Sequence, residues 1–371
     1  MKKNNNAFLF FITAFILLIL ITSTGNCFAM LEEKDTISNL SFSYDGKKVL
    51  FDRCRDVGCQ IQVYDLETGE LAAYQSPANE RWTMGKYSYD GKKITFSVIP
   101  IKFTGSLDLG EMQIAVMDAD GRNYKKVTTG PGAKLYPTFS HNGKKILYAC
   151  AARIRESGHT PAADYDAWEV NLETGRQTQL TFFEYFYMGS LTYFPDDERF
   201  IYYGEGPSVF EGVRRSFPFE EAFKKKMVEL VSKSIHIDGF VVMKGKDLIP
   251  MPYNFPEKTI PEMPLLSKDG TRLIYQKALS GGKFFLYSPD GNHRLVHHAG
   301  SVQSVALSMD GELLGICRDD SIVVIRISDD TYYRSIFLRR SPDWDQTLRK
   351  MPHLNLRLMP EVSSRIIKSD R

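Results

Sequence analysis

The sequence predicts an all-β fold assembled from repeated hairpins. Three observations predict it: one ten-residue segment recurs, a second hairpin-like segment follows most copies, and the intervals between copies are fairly regular. Self-similarity of this kind is typical of repeat architectures. The segment reads FSYDGKKVLF at 42–51, and related segments lie at 87–96, 139–148, 193–202, 266–275 and 307–316.

Each copy has the chemistry of a tight β-turn between two strands. A short alternating segment leads into Asp-Gly or Asn-Gly, and a segment rich in Val, Ile, Leu, Phe and Tyr follows. Glycine takes the positive φ that such a turn needs, and Asp or Asn tolerates the same region. Most intervals are close to the roughly 40 to 50 residues of a propeller blade. The turn Asp or Asn lies at positions 45, 90, 142, 196, 269 and 310.

A second hairpin completes each repeat. Clear examples are IQVYDLETGEL at 61–71, QIAVMDADGRN at 113–123 and AWEVNLETGRQ at 167–177. Each repeat therefore reads as four strands, A to D, with tight turns after A and after C. Packing such sheets face to face around an axis buries both apolar faces and protects most strand edges. We therefore expect a six-bladed β-propeller of four-stranded antiparallel blades.

The repeated turn resembles that of the TolB-like propeller family, whose repeat carries a Ser-Pro-Asp-Gly-Lys-like turn before an apolar strand. Here the turn reads Ser43-Tyr44-Asp45-Gly46-Lys47 and Ser267-Lys268-Asp269-Gly270-Thr271, and the blade-ending Leu-Thr of the family appears as Leu180-Thr181. The resemblance covers residues 37–338 and implies the propeller fold, whereas it is much less specific for function. Few residues separate Ala29 from the first repeat, so we expect the N-terminal α/β domain of TolB itself to be absent.

The first 29 residues predict export. Lys2 and Lys3 precede an apolar run that begins at Ala7, and the segment ends in Cys27-Phe28-Ala29. This order of basic, apolar and small residues is typical of a signal peptide, here cleaved after Ala29. The alternative is an uncleaved membrane anchor, since about 20 apolar residues can span a bilayer. Either interpretation predicts an exported protein, most simply a periplasmic one, which contacts the inner membrane only through this segment if it is retained.

The charge composition argues against nucleic-acid binding. The formal net charge is +2, and Lys2 and Lys3 account for this surplus. Nucleic-acid binders usually carry a pronounced basic excess. A hydrophobic fraction of 43% is sufficient for a sizeable core, so the composition indicates a folded domain that does not bind nucleic acid.

Two cysteines are candidates for a disulfide. Cys54 and Cys59 flank a four-residue segment between two strand-like stretches, so they could face each other across a hairpin. We expect them to be bridged in an oxidising compartment; the alternative is two free thiols. Cys150 and Cys317 lie in the second strands of separate repeats and are expected to be small buried hydrophobes.

The long interval between the fourth and fifth turns predicts an insertion at 207–234. Apolar residues recur there at helical spacing, which predicts a helix that packs on the rim or serves as a lid or docking helix. The candidate docking-helix residues are Phe219, Phe223, Met227 and Leu230. We assign 1–29 to the signal peptide or anchor, 30–338 to the propeller and 339–371 to a C-terminal tail.

No sequence motif predicts catalysis, a metal site or a cofactor. The chain contains no Gly-x-Ser-x-Gly elbow, phosphate-binding glycine loop or His-Glu-x-x-His. Asp118-Ala119-Asp120-Gly121 begins like a calcium loop, but its glycine comes too early and the closing glutamate is missing. His297 and His298 are adjacent and would point to opposite faces of a strand.

Loop length differs between the two faces of the predicted propeller. The A–B and C–D turns share one face, here called the turn face, and are short. The B–C and D–A connections share the other, here called the loop face, and include the long segments 98–111 and 151–164. Recognition often uses loops on a rigid scaffold, and Trp, Tyr and Arg commonly anchor interfaces. The candidate loop-face residues are Arg81, Trp82, Lys134, Tyr136, Tyr185 and Tyr187.

The sequence therefore favours an exported propeller that binds a protein or peptide partner through its loop face. Two alternatives remain. One is an enzyme or a carbohydrate-binding propeller whose polar groups converge in the channel, and the other is a membrane-tethered periplasmic scaffold. The candidate aromatics could also pack between blades instead of binding a partner.

Overall fold

A computed structural model shows an all-β chain. The structure describes residues 36–55, 58–154, 162–207, 238–253, 255, 261–277, 282–287, 293–298, 302–318, 321–329, 331–337 and 355–356. All of them belong to one compact unit, residues 35–371. Within these ranges the only helical element is a 3-10 turn at Leu109–Glu111. None of the described residues form a helix with the length and apolar character needed to cross a membrane.

The first half of the described chain forms successive antiparallel sheets, each in sequential strand order. The first sheet contains β1 (Thr36–Phe42), β2 (Lys48–Arg55), β3 (Gly58–Asp65) and β4 (Leu71–Ala73). The second contains β5 (Glu80–Tyr87), β6 (Lys93–Pro100), β7 (Gln113–Asp118) and β8 (Lys125–Lys126).

The middle of the chain forms two runs of four strands that share one eight-stranded sheet. The runs meet through a backbone pair between Tyr165 and Tyr185. The first run is β9 (Ala133–Phe139), β10 (Lys145–Ile154), β11 (Ala162–Asn171) and β12 (Gln177–Gln179). The second run is β13 (Tyr185–Tyr193), β14 (Arg199–Pro207), β15 (Asp238–Lys244) and β16 (Asp247–Leu248).

The last part of the chain forms two more sheets. One contains β17 (Pro261–Leu266), β18 (Leu273–Lys277), β19 (Lys283–Tyr287) and β20 (His293–His298). The other contains β21 (Ser304–Leu307), β22 (Leu313–Cys317), β23 (Ser321–Arg326), β24 (Thr331–Phe337) and β25 (Asn355–Leu356). The all-β prediction with four-stranded antiparallel sheets is therefore confirmed.

The repeated sequence forms the turn between the first two strands of each run. In the first copy, Ser43 Oγ donates to Asp45 Oδ1 at 2.6 Å and accepts from Lys48 N at 2.9 Å. Gly46 has a φ of 69°, as this turn requires. Corresponding Ser to Asp or Asn hydrogen bonds join Ser88 to Asp90, Ser140 to Asn142, Ser267 to Asp269 and Ser308 to Asp310.

The degraded copy at 193–202 keeps the turn with different residues. Phe194 replaces the serine, and Asp196 accepts hydrogen bonds from the backbone N–H groups of Glu198 and Arg199 instead. Asp197 takes the positive-φ position at 55°, where the other copies have glycine. Asp tolerates that conformation better than most residues, so the turn survives the loss of its glycine.

Five of the first strands carry the same irregularity. A register shift interrupts the pairing of β1, β5, β9, β13 and β17 with their second strands. At each shift a non-glycine residue has a φ between 53° and 60°, which identifies a β-bulge. Each bulged residue lies six positions before the turn Asp or Asn. The bulged residues are Asn39, Met84, Tyr136, Ser190 and Met263.

The first strands also neighbour one another. β1 contacts β5, β5 contacts β9, β9 contacts β13, β13 contacts β17, β17 contacts β21, and β21 contacts β1. One hydrophobic cluster joins the first and last sheets and includes Ile37, Phe42 and Ile322. Two polar contacts accompany it: Cys317 Sγ donates to Ile37 O at 2.8 Å, and Leu40 N donates to Ser304 Oγ at 3.4 Å.

Cys54 and Cys59 form a disulfide across the paired strands β2 and β3, with Cα atoms 3.9 Å apart. Cys317 is fully buried, as expected, whereas Cys150 is only half-buried. Several predicted segments lie outside the described residues. They are the leader at 1–29, the insertion at 207–234 beyond Pro207 with its candidate docking-helix residues Phe219, Phe223, Met227 and Leu230, and the tail at 339–371 except 355–356.

Candidate ligand-binding cavity

The first strands line a cavity of about 560 Å³. Residues of β1, β5, β9, β13, β17 and β21 form its wall, together with Tyr203 and Glu205 of β14. All five bulged residues are among those that line it. Because a β-bulge redirects its side chain relative to the regular pleat, the bulges determine which side chains face this cavity.

A buried carboxylate links two of the bulges. Asp52 Oδ2 accepts hydrogen bonds from Asn39 Nδ2 at 2.7 Å, from Met84 N at 2.8 Å and from the Thr83 hydroxyl. Burial raises the pKa of Asp52 to about 6, although these hydrogen bonds favour the ionised form. Asp52 therefore holds the cavity-lining segments of β1 and β5 in register.

Three tyrosines form an aromatic wall in the cavity. The ring centroid of Tyr187 lies 6.2 Å from that of Tyr136 and 6.1 Å from that of Tyr203. Tyr187 OH donates to Tyr136 OH at 3.3 Å. Burial raises the pKa values of Tyr136 and Tyr187, so both phenols are neutral at physiological pH.

The turn-face end of the cavity is bridged. Lys268 follows β17, yet its Nζ donates to the backbone carbonyl of Tyr89, which follows β5, at 3.2 Å. The same ammonium lies 4.5 Å from the ring centroid of Tyr44, which follows β1. Tyr89 in turn stacks on His141 with ring centroids 3.8 Å apart. These contacts link residues that follow β1, β5, β9 and β17 across the turn-face end of the cavity.

Two carboxylates lie toward the loop-face end. Glu262 stands near the start of β17, six residues before Lys268, which corresponds to about 20 Å of extended strand. Glu205 stands near the end of β14, the end away from its turn with β13. Both line the cavity. The described lining toward the loop face therefore includes two glutamates.

Lys86 is the only basic residue among the described residues that line the cavity. It lies in β5 opposite Thr95, two residues after the bulge at Met84. Within the described part of the chain its ammonium makes no hydrogen bond or ion pair. Its side chain is half-buried by accessible surface, yet enclosure by the surrounding protein lowers its pKa to about 8.

The candidate loop-face residues divide into two groups. Tyr136 and Tyr187 line the cavity, whereas Arg81, Trp82, Lys134 and Tyr185 are not among its lining residues. All six belong to the first strands β5, β9 and β13 rather than to the connections between strands. These first strands begin well before the turn motif, so their side chains face either the cavity or the space between sheets.

The four candidates that do not line the cavity are instead packed against other parts of the protein. Trp82 is 5% exposed, and its indole N–H donates to Glu80 at 3.0 Å. Lys134 is 2% exposed, and its ammonium donates to backbone carbonyls, including that of Met112 at 3.0 Å. Tyr185 packs against Tyr202 with ring centroids 5.8 Å apart. Arg81 is half-buried, and burial lowers the pKa of its guanidinium.

Sequence reasoning missed Lys86, Asp52, Glu205 and Glu262. A positional signal for Lys86 does exist, since it lies four residues before the turn Asp90, on the strand that precedes the repeated turn. The other three carry no such mark. Asp52 acts on residues that are distant in sequence, and the two glutamates stand at strand ends with no repeated counterpart.

The described residues contain no group of three or more His, Cys, Asp or Glu side chains placed to hold a metal ion. Asp120, in the segment that begins like a calcium loop, pairs with Arg122 at 2.6 Å instead. No histidine is among the described residues that line the cavity.

Comparison with known proteins yields structural matches only. No protein-family model matches the sequence, and no curated protein matches it. TolB from Acinetobacter baumannii is 13% identical with a TM-score of 0.52; the match covers 80% of this chain, which spans 62% of that TolB. An oligogalacturonate lyase in complex with manganese is 17% identical with a TM-score of 0.52, and the match covers 85% of this chain and 82% of the lyase.

The sequential antiparallel sheets, the cavity between their first strands and these matches together define a β-propeller. Its fold is that of the TolB-like propellers, as the repeated turn predicted. At these identities the likeness establishes the fold and not the activity.

Proposed function

We propose that this chain is an exported, six-bladed propeller that binds a protein or peptide partner at its loop face, with part of the partner entering the central cavity. The main observation behind this proposal is the cavity itself. It is bridged on the turn face by Lys268 and lined toward the loop face by Tyr136, Tyr187, Glu205 and Glu262. Aromatic and charged side chains in a concave site are typical of recognition surfaces.

The blade count is supported by the closed series of contacts between first strands. β1, β5, β9, β13, β17 and β21 contact one another in that order, and β21 returns to β1. On this proposal residues 30–338 form the propeller, residues 1–29 the leader and residues 339–371 the tail. Sharing of a core by the first and last sheets would then close the ring without an exchanged strand.

A hairpin on the loop face offers a second contact point for the partner. In the connection from β6 to β7, Lys102 N donates to Ser106 O at 2.8 Å and Gly105 N donates to Lys102 O at 2.8 Å. Phe103 lies in this turn and is fully exposed. An exposed aromatic ring on a hydrogen-bonded hairpin is suited to insert into a partner with little ordering entropy.

Two features of the chain, its leader and its disulfide, support export. The leader has the composition of a signal peptide, and the bridge between Cys54 and Cys59 is stable in oxidising compartments rather than in the cytoplasm. A mass measurement of the exported chain tests the leader. Loss of 29 residues is the expected result, and an intact N-terminus would indicate an anchor.

An acidic saccharide is the second candidate ligand, because the oligogalacturonate lyase shares the fold and Lys86 could face a sugar carboxylate. The number of cationic groups argues against it. A polyanionic chain needs several cations, whereas Lys86 is the only basic residue among the described residues that line the cavity. A peptide with a single anionic group needs only one.

Partner capture from a periplasmic extract tests the proposal. The exported chain is the bait, and Phe103→Ala is compared with Tyr44→Ala, since both remove exposed aromatic rings from opposite faces. We expect Phe103→Ala to reduce capture of the same protein severalfold and Tyr44→Ala to leave it unchanged. Capture that depends on Tyr44 and not on Phe103 would place binding on the turn face and contradict the proposal.

A further inference from the structure

We propose that Lys86 and the hydroxyl groups beside it form an anion subsite inside the cavity, which binds a carboxylate of the inserted peptide. This inference rests on the proposed peptide-binding function and specifies the chemistry of its ligand. The anion subsite is defined by Lys86 with Ser41, Thr138 and Thr192, all of which line the cavity.

Lys86 has no hydrogen-bond or ion-pair partner among the described residues. An enclosed ammonium group normally has a carboxylate or several carbonyl oxygens around it, because removing its hydration is unfavourable. Lys134 shows this arrangement in the same protein, with three backbone carbonyls within 3.2 Å of its Nζ. Lys86 has no comparable contact among the described residues. A bound anion would supply the partner that no described residue provides.

Three hydroxyl side chains lie at the same level of the first strands as Lys86. Ser41, Thr138 and Thr192 each lie four residues before a turn Asp or Asn, as Lys86 does, on neighbouring first strands. Ser41 Oγ accepts from Tyr87 N at 3.2 Å, so its own O–H is available to donate. A carboxylate has about four lone-pair sites and can accept from an ammonium and from hydroxyls together.

The described lining of the cavity also contains a single cation. Lys86 lies near the bridged end at Tyr89 and is the only basic residue among the described residues that line the cavity. No carboxylate contributes to the pKa of Lys86, which burial alone lowers. The described lining therefore favours a ligand with one carboxylate at its inserted end. A peptide with a free C-terminus or a terminal acidic residue has this pattern.

Titration of the neighbouring groups does not obscure that of Lys86. Four of the tyrosines that line the cavity, Tyr87 and Tyr89 of the β5 segment, Tyr136 of β9 and Tyr187 of β13, have pKa values raised by burial and stay neutral. The acidic groups are Glu205 of β14 and Glu262 of β17; β1 and β21 contribute no charged side chain to the lining. Carboxylate binding should therefore weaken as pH rises through about 8, where Lys86 loses its proton.

The test uses the full exported chain with ¹³C-labelled lysine, so that the Lys86 side-chain signal can be followed by NMR through a pH titration. The signal is assigned by its loss in Lys86→Met. The probes are N-acetyl-glycylglycine, which has a terminal carboxylate, its amide, and trigalacturonate. We expect the free acid to raise the pKa of Lys86 and the amide to leave it unchanged. Binding of the acid should fall about tenfold or more in Lys86→Met and persist in Lys86→Arg.

Several results would overturn the inference. They are an unchanged Lys86 pKa with the free acid, equal binding of acid and amide, or binding of the acid that Lys86→Met does not weaken. A response to trigalacturonate alone would assign the subsite to an acidic saccharide and reject the peptide ligand.

Partner capture separates this inference from the proposed function. Equal capture of the partner by wild type and Lys86→Met would reject the anion subsite while the loop-face proposal stands. Binding of the acid without capture of any protein would support the subsite and count against the partner proposal.

Discussion

The serine of the repeated turn explains why the motif recurs almost unchanged. Ser88 is 3% exposed; its Oγ donates to Asp90 Oδ1 at 2.6 Å and accepts from Lys93 N at 2.9 Å. Partial burial raises the pKa of Asp90, but the bonds from Ser88 and Lys92 outweigh it and hold that pKa below its ordinary value. The turn is thus closed by a small network that needs Ser, Asp and Gly together.

Ser88→Ala should therefore destabilise the fold. It removes the acceptor of the partly buried Lys93 N–H group and the donor to Asp90, which costs about 1 kcal/mol or more in the free energy of unfolding. Denaturant unfolding measures the change. Lys92→Ala, an exposed substitution in the same turn, is the matched control and should change stability by less than about 0.5 kcal/mol. Equal effects of the two substitutions would show that the network does not stabilise the turn.

The raised pKa of Asp52 predicts that the stability of the fold depends on pH. Its pKa is about 6 in the folded chain against an ordinary 3.8, so between these values the folded state keeps a proton that the unfolded chain releases. The stability contributed by this group is fully present below pH 4 and is lost as pH rises through 6. The shift of about two units corresponds to about 3 kcal/mol at most.

Asp52→Asn isolates that effect. An amide oxygen in place of Oδ2 can accept the same bonds from Asn39, Thr83 and Met84, and it carries no charge. The difference in unfolding free energy between variant and wild type should shift in favour of the variant as pH rises from 4 to 7. Asp166, whose pKa burial also raises to about 6, remains in both proteins and cancels in this difference. A difference independent of pH would contradict the assignment.

At the scale of the strand, the bulges decide which residues reach the cavity. The residues at the bulged position are chemically unlike one another, from Asn39 to Met84 to Tyr136. The residue type at this position therefore does not reveal the bulge in the sequence. The bulge also shifts the alternation of inward and outward side chains within β5, β9 and β13. That shift is why sequence alternation did not extend these strands back to Arg81, Lys134 and Tyr185.

Substitutions of Ser190 test whether the bulge needs a residue that tolerates a positive φ. Its φ of 53° is unfavourable for a β-branched side chain, so Ser190→Val should lower the free energy of unfolding by about 1 to 2 kcal/mol. Ser190→Gly should retain or slightly raise stability, because glycine adopts this conformation without strain. Thr138→Val is the control, because it places the same β-branched side chain in the cavity lining of the neighbouring strand at a position that does not have a positive φ. If Ser190→Val matches that control in urea unfolding, the bulge is not strained.

At the scale of the whole molecule, the sequence predicted the fold class well and the binding site poorly. The turn chemistry at 42–51 is local, so each copy could be recognised without knowledge of the rest of the chain. The cavity is assembled from residues such as Lys86 and Glu262, which lie in different sheets. Their proximity depends on how the first strands meet, and no short sequence pattern encodes that.

Closure between the first and last sheets makes a prediction about cooperativity. Ile37 is fully buried in the cluster that includes Ile322, so Ile37→Ala should cost about 2 to 5 kcal/mol. Hydrogen exchange should then increase in both β1–β4 and β21–β24. The matched control, Ile114→Ala, lies in the cluster between the second and third sheets and should spare β21–β24. Faster exchange in β1–β4 alone would contradict closure.

Site-specific photo-crosslinking can detect a partner at the loop-face end of the cavity. A benzophenone amino acid replaces Tyr203 in the cavity wall or Tyr44 on the turn face, and the exported chain is irradiated in the cell. We expect a discrete adduct with a protein partner from position 203 and none from position 44. An adduct from position 44 alone, or none from either position, would contradict binding at the loop face.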